Sequence, residues 1–161
     1  MSTRQLSVLL VEDSRLLAGR LQEAIAAVSG TRVVGTVDSE PAAVAALRRE
    51  PIDVVLIDLN LSRGTGFGVL RAIAGGEFGN VLAIVLTNHV LGEYRRAAAA
   101  LGATYFLDKM CDIERLPSLL QRLVARAAPD EHPASEVLTG AAEPAPFGAD
   151  EMPISTLLVP E

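Results

Sequence analysis

The sequence predicts an α/β fold, a doubly wound five-stranded parallel sheet with helices on both faces. Two observations carry that reading. Continuous apolar runs such as Leu6–Val11 and Ile52–Leu59 suit strands that are buried on both faces. The stretches between them repeat apolar residues at helical spacing. The two patterns alternate five times within about 120 residues, as crossover helices between parallel strands require.

The elements follow in order. Leu6–Val11 is the first strand. Leu17, Leu21, Ala24, Ile25 and Val28 then keep helical spacing, with Asp13 or Ser14 able to cap the start. Thr31–Val37 is short and β-branched, hence a strand. Ser39 can cap a second helix with Pro41 in its first turn, and Ala43, Val44 and Leu47 share one face. Ile52–Leu59 is the third strand. Gly64, Gly66 and Gly68 read as a tight turn, after which Phe67, Leu70 and Ala74 open a short helix. Val81–Thr87 is the fourth strand. Tyr94, Ala97, Ala98 and Leu101 form the fourth helix, with Gly102 suited to a left-handed end. Thr104–Leu107 is the fifth strand. Leu116, Leu119, Leu120, Leu123 and Val124 make the last amphipathic helix, with Pro117 near its start.

Composition bounds the function. With 50% apolar and 21% charged residues in 161, the chain can bury one core. One cysteine excludes a disulfide framework and a cysteine-based zinc site and fits a reducing compartment; two histidines speak against a His-rich metal site. Apolar runs stop at six or seven residues, far short of a membrane span. The N-terminal segment lacks the apolar core and cleavage site of a signal peptide. The expectation is a soluble, cytoplasmic protein without a membrane partner.

The net charge of −6 is unevenly placed. Residues 127–161 carry seven acids and no Lys or Arg, which leaves 1–126 with 14 basic and 13 acidic residues. A near-neutral body offers no footprint for nucleic acid. Six of the nine prolines also lie in 127–161, so that segment is expected to be an acidic, disordered tail behind one domain at 1–126. Its apolar Ile154–Val159 is either a frayed end or a short docking segment.

In an open parallel sheet the working site lies at the carboxyl ends of the strands, in the crevice where strand order reverses. Those ends carry Glu12 and Asp13, Asp58, Thr87 and Asn88, and Asp108 and Lys109. Three carboxylates in one pocket repel each other unless a cation offsets them, and a hard ion such as Mg²⁺ prefers such oxygen ligands. Carboxylate, lysine, threonine and Mg²⁺ are the parts of phosphoryl transfer, with the carboxylate able to attack phosphorus and form an acyl phosphate. Lys109 is the only lysine beside 13 arginines. A compact ammonium can sit as a point charge on a phosphoryl oxygen where a planar guanidinium fits poorly.

VLLVEDS, VVLIDLNL, IVLTN and YFLDKM stand in order at these strand ends. With them the body, roughly residues 5–126, resembles a single-domain receiver of two-component response regulators. The resemblance implies a flavodoxin-like (βα)5 sheet with strand order 2-1-3-4-5. It implies Asp58 as phosphoacceptor, and Glu12, Asp13, Asp58 and the backbone carbonyl of Asn60 as Mg²⁺ ligands. It implies Thr87 and Lys109 as phosphoryl contacts. The family's aromatic switch position falls on Phe106, with Tyr105 beside it; a phenyl ring cannot hydrogen-bond on rotating, so switching here rests on packing. Two family prolines are replaced, by Met110 and Ser62, which bears on loop geometry rather than on the acid–threonine–lysine set.

The resulting expectation is a phosphoacceptor rather than an enzyme. A histidine kinase or phosphotransfer protein would supply the phosphoryl group. A downstream protein would read the face formed by the fourth helix, fifth strand and last helix. On that face an exposed Ala97–Ala100 run would permit close approach of a partner or a homodimer. Two alternatives stand beside it: a phosphorylation-independent interaction module, and a metal-dependent hydrolase with Asp58 as nucleophile. The hydrolase lacks its second acid, because Asn60 occupies that place. The Gly64–Gly68 run lacks the spacing of a dinucleotide loop, and a thiol role for Cys111 with His89 has no support from the fold. His89 is expected at the site rim and His132 in solvent.

Overall fold

The computed structural model describes residues 4–88 and 92–127. His89 and everything from residue 128 on, including His132 and Ile154–Val159, lie outside the described residues. Five strands, β1 (Leu6–Val11), β2 (Thr31–Val37), β3 (Val54–Ile57), β4 (Leu82–Thr87) and β5 (Tyr105–Asp108), alternate with α1 (Arg15–Ala26), α2 (Glu40–Arg49), α3 (Gly66–Ala74), α4 (Gly92–Ala100) and α5 (Leu116–Ala127). A 3₁₀ turn, Ile113–Arg115, leads into α5.

All strand pairs are parallel, in the order β2-β1-β3-β4-β5. Every residue of β1 and β3 is buried, which is why their sequences read as unbroken apolar runs rather than alternating ones. Alternate residues feed two cores. Val8, Leu10, Leu56, Ile84 and Leu107 pack toward α1 and α5, against Leu21, Ile25, Leu116 and Leu120 among others. Leu9, Val11, Val55, Ile57, Val85 and Phe106 pack toward α2, α3 and α4. The chain therefore winds over both faces of one sheet, with the reversal of strand order between β1 and β3.

Local signals hold at the helix ends. Ser14, Ser39 and Thr65 each turn a side-chain oxygen to an amide of the first helical turn. Gly102, just past α4, has φ +96°, a left-handed conformation that a side chain would strain.

Two expectations need correction. Only Gly64 of the glycine run lies in a turn, with φ +79°, whereas Gly66 and Gly68 belong to the first turn of α3. The reason is close packing: a Cβ on Gly66 would collide with the backbone carbonyl of Asp58. The alanine run of α4 is not exposed as a whole. Ala98 and Ala99 are buried against the sheet, because small residues let α4 lie close to it, and only Ala97 and Ala100 face out.

Candidate functional site

The register sets the site. Val11 of β1 lies opposite Ile57 of β3, so the next residues, Glu12 and Asp58, leave the sheet side by side. Thr87 ends β4 in register with Asp108 of β5, and the Lys109 amide donates to the Thr87 carbonyl at 3.0 Å. Lys109 thus starts from the far strand and reaches back across the sheet end.

Its ammonium donates to Asp58 Oδ2 at 2.8 Å and lies 2.8 Å from Glu12 Oε1. The first contact is an aligned hydrogen bond. The second is an ion pair without that alignment, so Glu12 Oε1 is a buried carboxylate oxygen with no hydrogen-bond partner. Glu12 Oε2 accepts from the Ser14 amide at 3.0 Å. Asp58 Oδ1 accepts from the Asn60 amide at 3.1 Å, which folds the chain back just after the acid.

Glu12, Asp13 and Asp58 present carboxylate oxygens within 4.8 Å of one another. Glu12 and Asp58 are buried, Asp13 is exposed. Three carboxylates against one ammonium leave the hollow short of positive charge, even with the Lys109 ammonium 2.8 Å from both Glu12 and Asp58. The donors are all hard oxygens, a set that could hold a metal ion. Burial pushes the Glu12 carboxyl above its usual 4.5, partly offset by Lys109 and the Ser14 amide. Burial pulls the Lys109 ammonium down, but its bonds to Asp58 and Glu12 outweigh that and hold it above 10.5.

Sequence reasoning places every member of this group at a strand end. The structure brings Glu12, Asp13, Asp58 and Lys109 together; Thr87 is fully buried at the end of β4, and Asn60 touches Asp58 through its backbone. Phe106 and Tyr105 are both buried but point to opposite faces of the sheet. The Arg95 guanidinium of α4 lies 4.8 Å from the Phe106 ring centroid, a cation–π contact. Sequence reasoning misses Arg95, since a helix arginine gives no sign of which ring it will cover. It also misses Asp112. The Asp112 Oδ2 accepts from the Asp108 amide at 2.8 Å, while Asp108 Oδ1 accepts from the Met110 amide at 2.6 Å. These acids shape the loop after Lys109. A cleft of about 520 Å³, lined by Ser14, Leu17, Arg20, Asn88 and Met110, opens beside Lys109.

A family model described as the response regulator receiver domain matches residues 8–121. This chain belongs to that family. The acid tolerance regulatory protein ActR of Rhizobium meliloti is 34% identical over 132 residues, 80% of this chain and 66% of ActR. A protein-glutamate methylesterase/protein-glutamine glutaminase of Anaeromyxobacter dehalogenans is 35% identical over 72 residues, 45% of this chain and 20% of that protein. The receiver therefore spans only part of the length of these relatives. Among solved structures, the response regulator domain of Thermotoga maritima CheB superposes with a TM-score of 0.66 at 21% identity, covering 77% of this chain and 96% of that one. This likeness establishes the shared fold. Membership makes the protein a component of two-component phosphorelay signalling, a family whose members interact with kinases and downstream proteins. Among the described residues, no helix is long and apolar enough to cross a membrane.

Proposed function

We propose that this receiver takes a phosphoryl group onto Asp58, with Mg²⁺, from a histidine kinase or phosphotransfer protein. The observation that carries the reading is the Lys109 ammonium held between Asp58 and Glu12 inside the acidic hollow. Glu12, Asp13, Asp58 and the Asn60 carbonyl would hold the ion, which when bound neutralises phosphoryl oxygens and charge building on them.

The chain's own groups do the rest. A carboxylate oxygen of Asp58 attacks phosphorus as the P–N bond to the donor imidazole breaks; the bonding pair leaves on that nitrogen, which then takes a proton from solvent. Lys109 follows the charge from the carboxylate to the phosphoryl oxygens, and the Thr87 hydroxyl donates to one of them. The hydrophobic floor beneath Asp58 keeps these interactions strong. The receiver acts as acceptor and switch and turns over no substrate of its own.

The switch would run through Thr87 to the face made by α4, β5 and α5, where Phe106 lies under Arg95. Phe106 has no hydroxyl, so its movement depends on packing and on that guanidinium. A protein partner or a second copy would read this face. The near-neutral body favours protein partners over nucleic acid. The acidic stretch that follows α5 in the sequence would serve as a tail, and the protein would work in the cytoplasm.

Intact mass after incubation with acetyl phosphate and Mg²⁺ tests the reading. One added phosphoryl group per chain, lost in Asp58→Asn, supports it. No adduct supports a phosphorylation-independent module, and many turnovers of an added phosphoester support a hydrolase.

A further inference from the structure

Glu40 opens α2, yet its carboxylate serves another element. Oε1 accepts the Thr65 amide at 3.0 Å, just before α3. Thr65 is in turn paired with Asn60 by an antiparallel bridge across the loop. Further ties run the same way. The Glu40 amide donates to the Arg63 carbonyl at 3.0 Å, and the Ser62 hydroxyl donates to the Asp38 carbonyl at 3.1 Å. The loop that leaves Asp58 is thereby fastened to the start of α2.

The glycine run makes room for this. A Cβ on Gly64 or on Gly68 would collide with the Glu40 side chain. Glycine weakens a helix start, so placing Gly68 inside α3 costs stability unless a contact needs the space. The Glu40 carboxylate is that contact, and a negative charge at the first turn of a helix is itself favourable. The direction of a backbone carbonyl is set by what its neighbouring peptides bond to, since no rotamer can adjust it.

We propose that Glu40 is a positioning residue for the metal site: through Thr65 it fixes the backbone of Asn60, whose carbonyl completes the ligand set. The proposal rests on the receiver reading of Asn60 given above. Magnesium chloride titrated calorimetrically into the full chain tests it, alongside amide exchange of the metal-free protein. Glu40→Ala should weaken Mg²⁺ binding about 10-fold, as loss of a group that orients a ligand does. It should also speed exchange at the Thr65 amide. Glu40→Gln keeps an acceptor oxygen and should stay within about threefold of wild type. Gly68→Ala should mimic Glu40→Ala by displacing the carboxylate, and should add little in the double variant, because both act on one contact. Heat stability distinguishes this from general damage: in the Glu40→Ala background, Gly68→Ala should not lower the melting temperature, since alanine is the better helix former. Unchanged Mg²⁺ affinity in Glu40→Ala, with wild type binding normally, overturns the proposal and leaves the receiver reading intact. Additive losses from the two substitutions also overturn it. A wild-type chain that binds no Mg²⁺ overturns both.

Discussion

The two loops that flank the acidic hollow are held in opposite ways. The loop after Lys109 holds itself: Asp108 and Asp112 bond amides two to four residues away. The loop after Asp58 is held from outside, by Glu40, which stands 25 residues before the Thr65 amide it accepts. A self-contained loop can deliver one side chain, and Lys109 is a long, adjustable one. A loop that must present a backbone carbonyl gains from an anchor on a separate rigid element.

The largest effect addresses what the loops share. Asp58→Asn should abolish phosphoryl acceptance in intact-mass assays while leaving both loops tied, since asparagine still accepts from the Asn60 amide. Next, Lys109→Met should destabilise the metal-free chain by about 3 kcal/mol in urea titrations, because it strands two buried carboxylates. Mg²⁺ should restore much of that loss; an unaffected apo protein would mean that the lysine is not the counter-charge. Asp112→Ala should cost about 1–2 kcal/mol, by leaving the Asp108 amide without its partner. Its effect on Mg²⁺ affinity should be small if the two loops are independent, and a large one would break the contrast.

The smallest effect is on pH. The Lys109 pKa is raised in the folded state, so the stability it lends is fully present below 10.5 and is lost as pH rises through the folded value. The Glu12 carboxyl, also raised, acts in the acid range. Its protonated form favours the folded metal-free chain, and that advantage fades as pH climbs from 4.5 through the folded value. Urea midpoints on either side of 10.5 should show the alkaline loss in wild type and not in Lys109→Met.

Much of the molecule is legible in the sequence because its causes are local. Buried parallel strands force unbroken apolar runs, and caps and strand ends fall next to them in the chain. Glu12, Asp13, Asp58, Thr87 and Lys109 can be found because a parallel sheet gathers its strand ends at one edge. What stays hidden depends on contacts between distant segments. Gly64, Gly66 and Gly68 announce a turn, but the need for space around Glu40 and Asp58 appears only once α2 and α3 lie together. The alanines of α4 suggest an open face, but which of them meet the sheet depends on how the helix is rotated.

The sole lysine has a practical use. Expression with lysine carrying nitrogen-15 at Nζ would place a single side-chain label on the ammonium at the heart of the hollow without altering it. Its chemical shift would report the local charge directly, so ion loading and acyl phosphate formation could be watched in solution as the movement of one resonance.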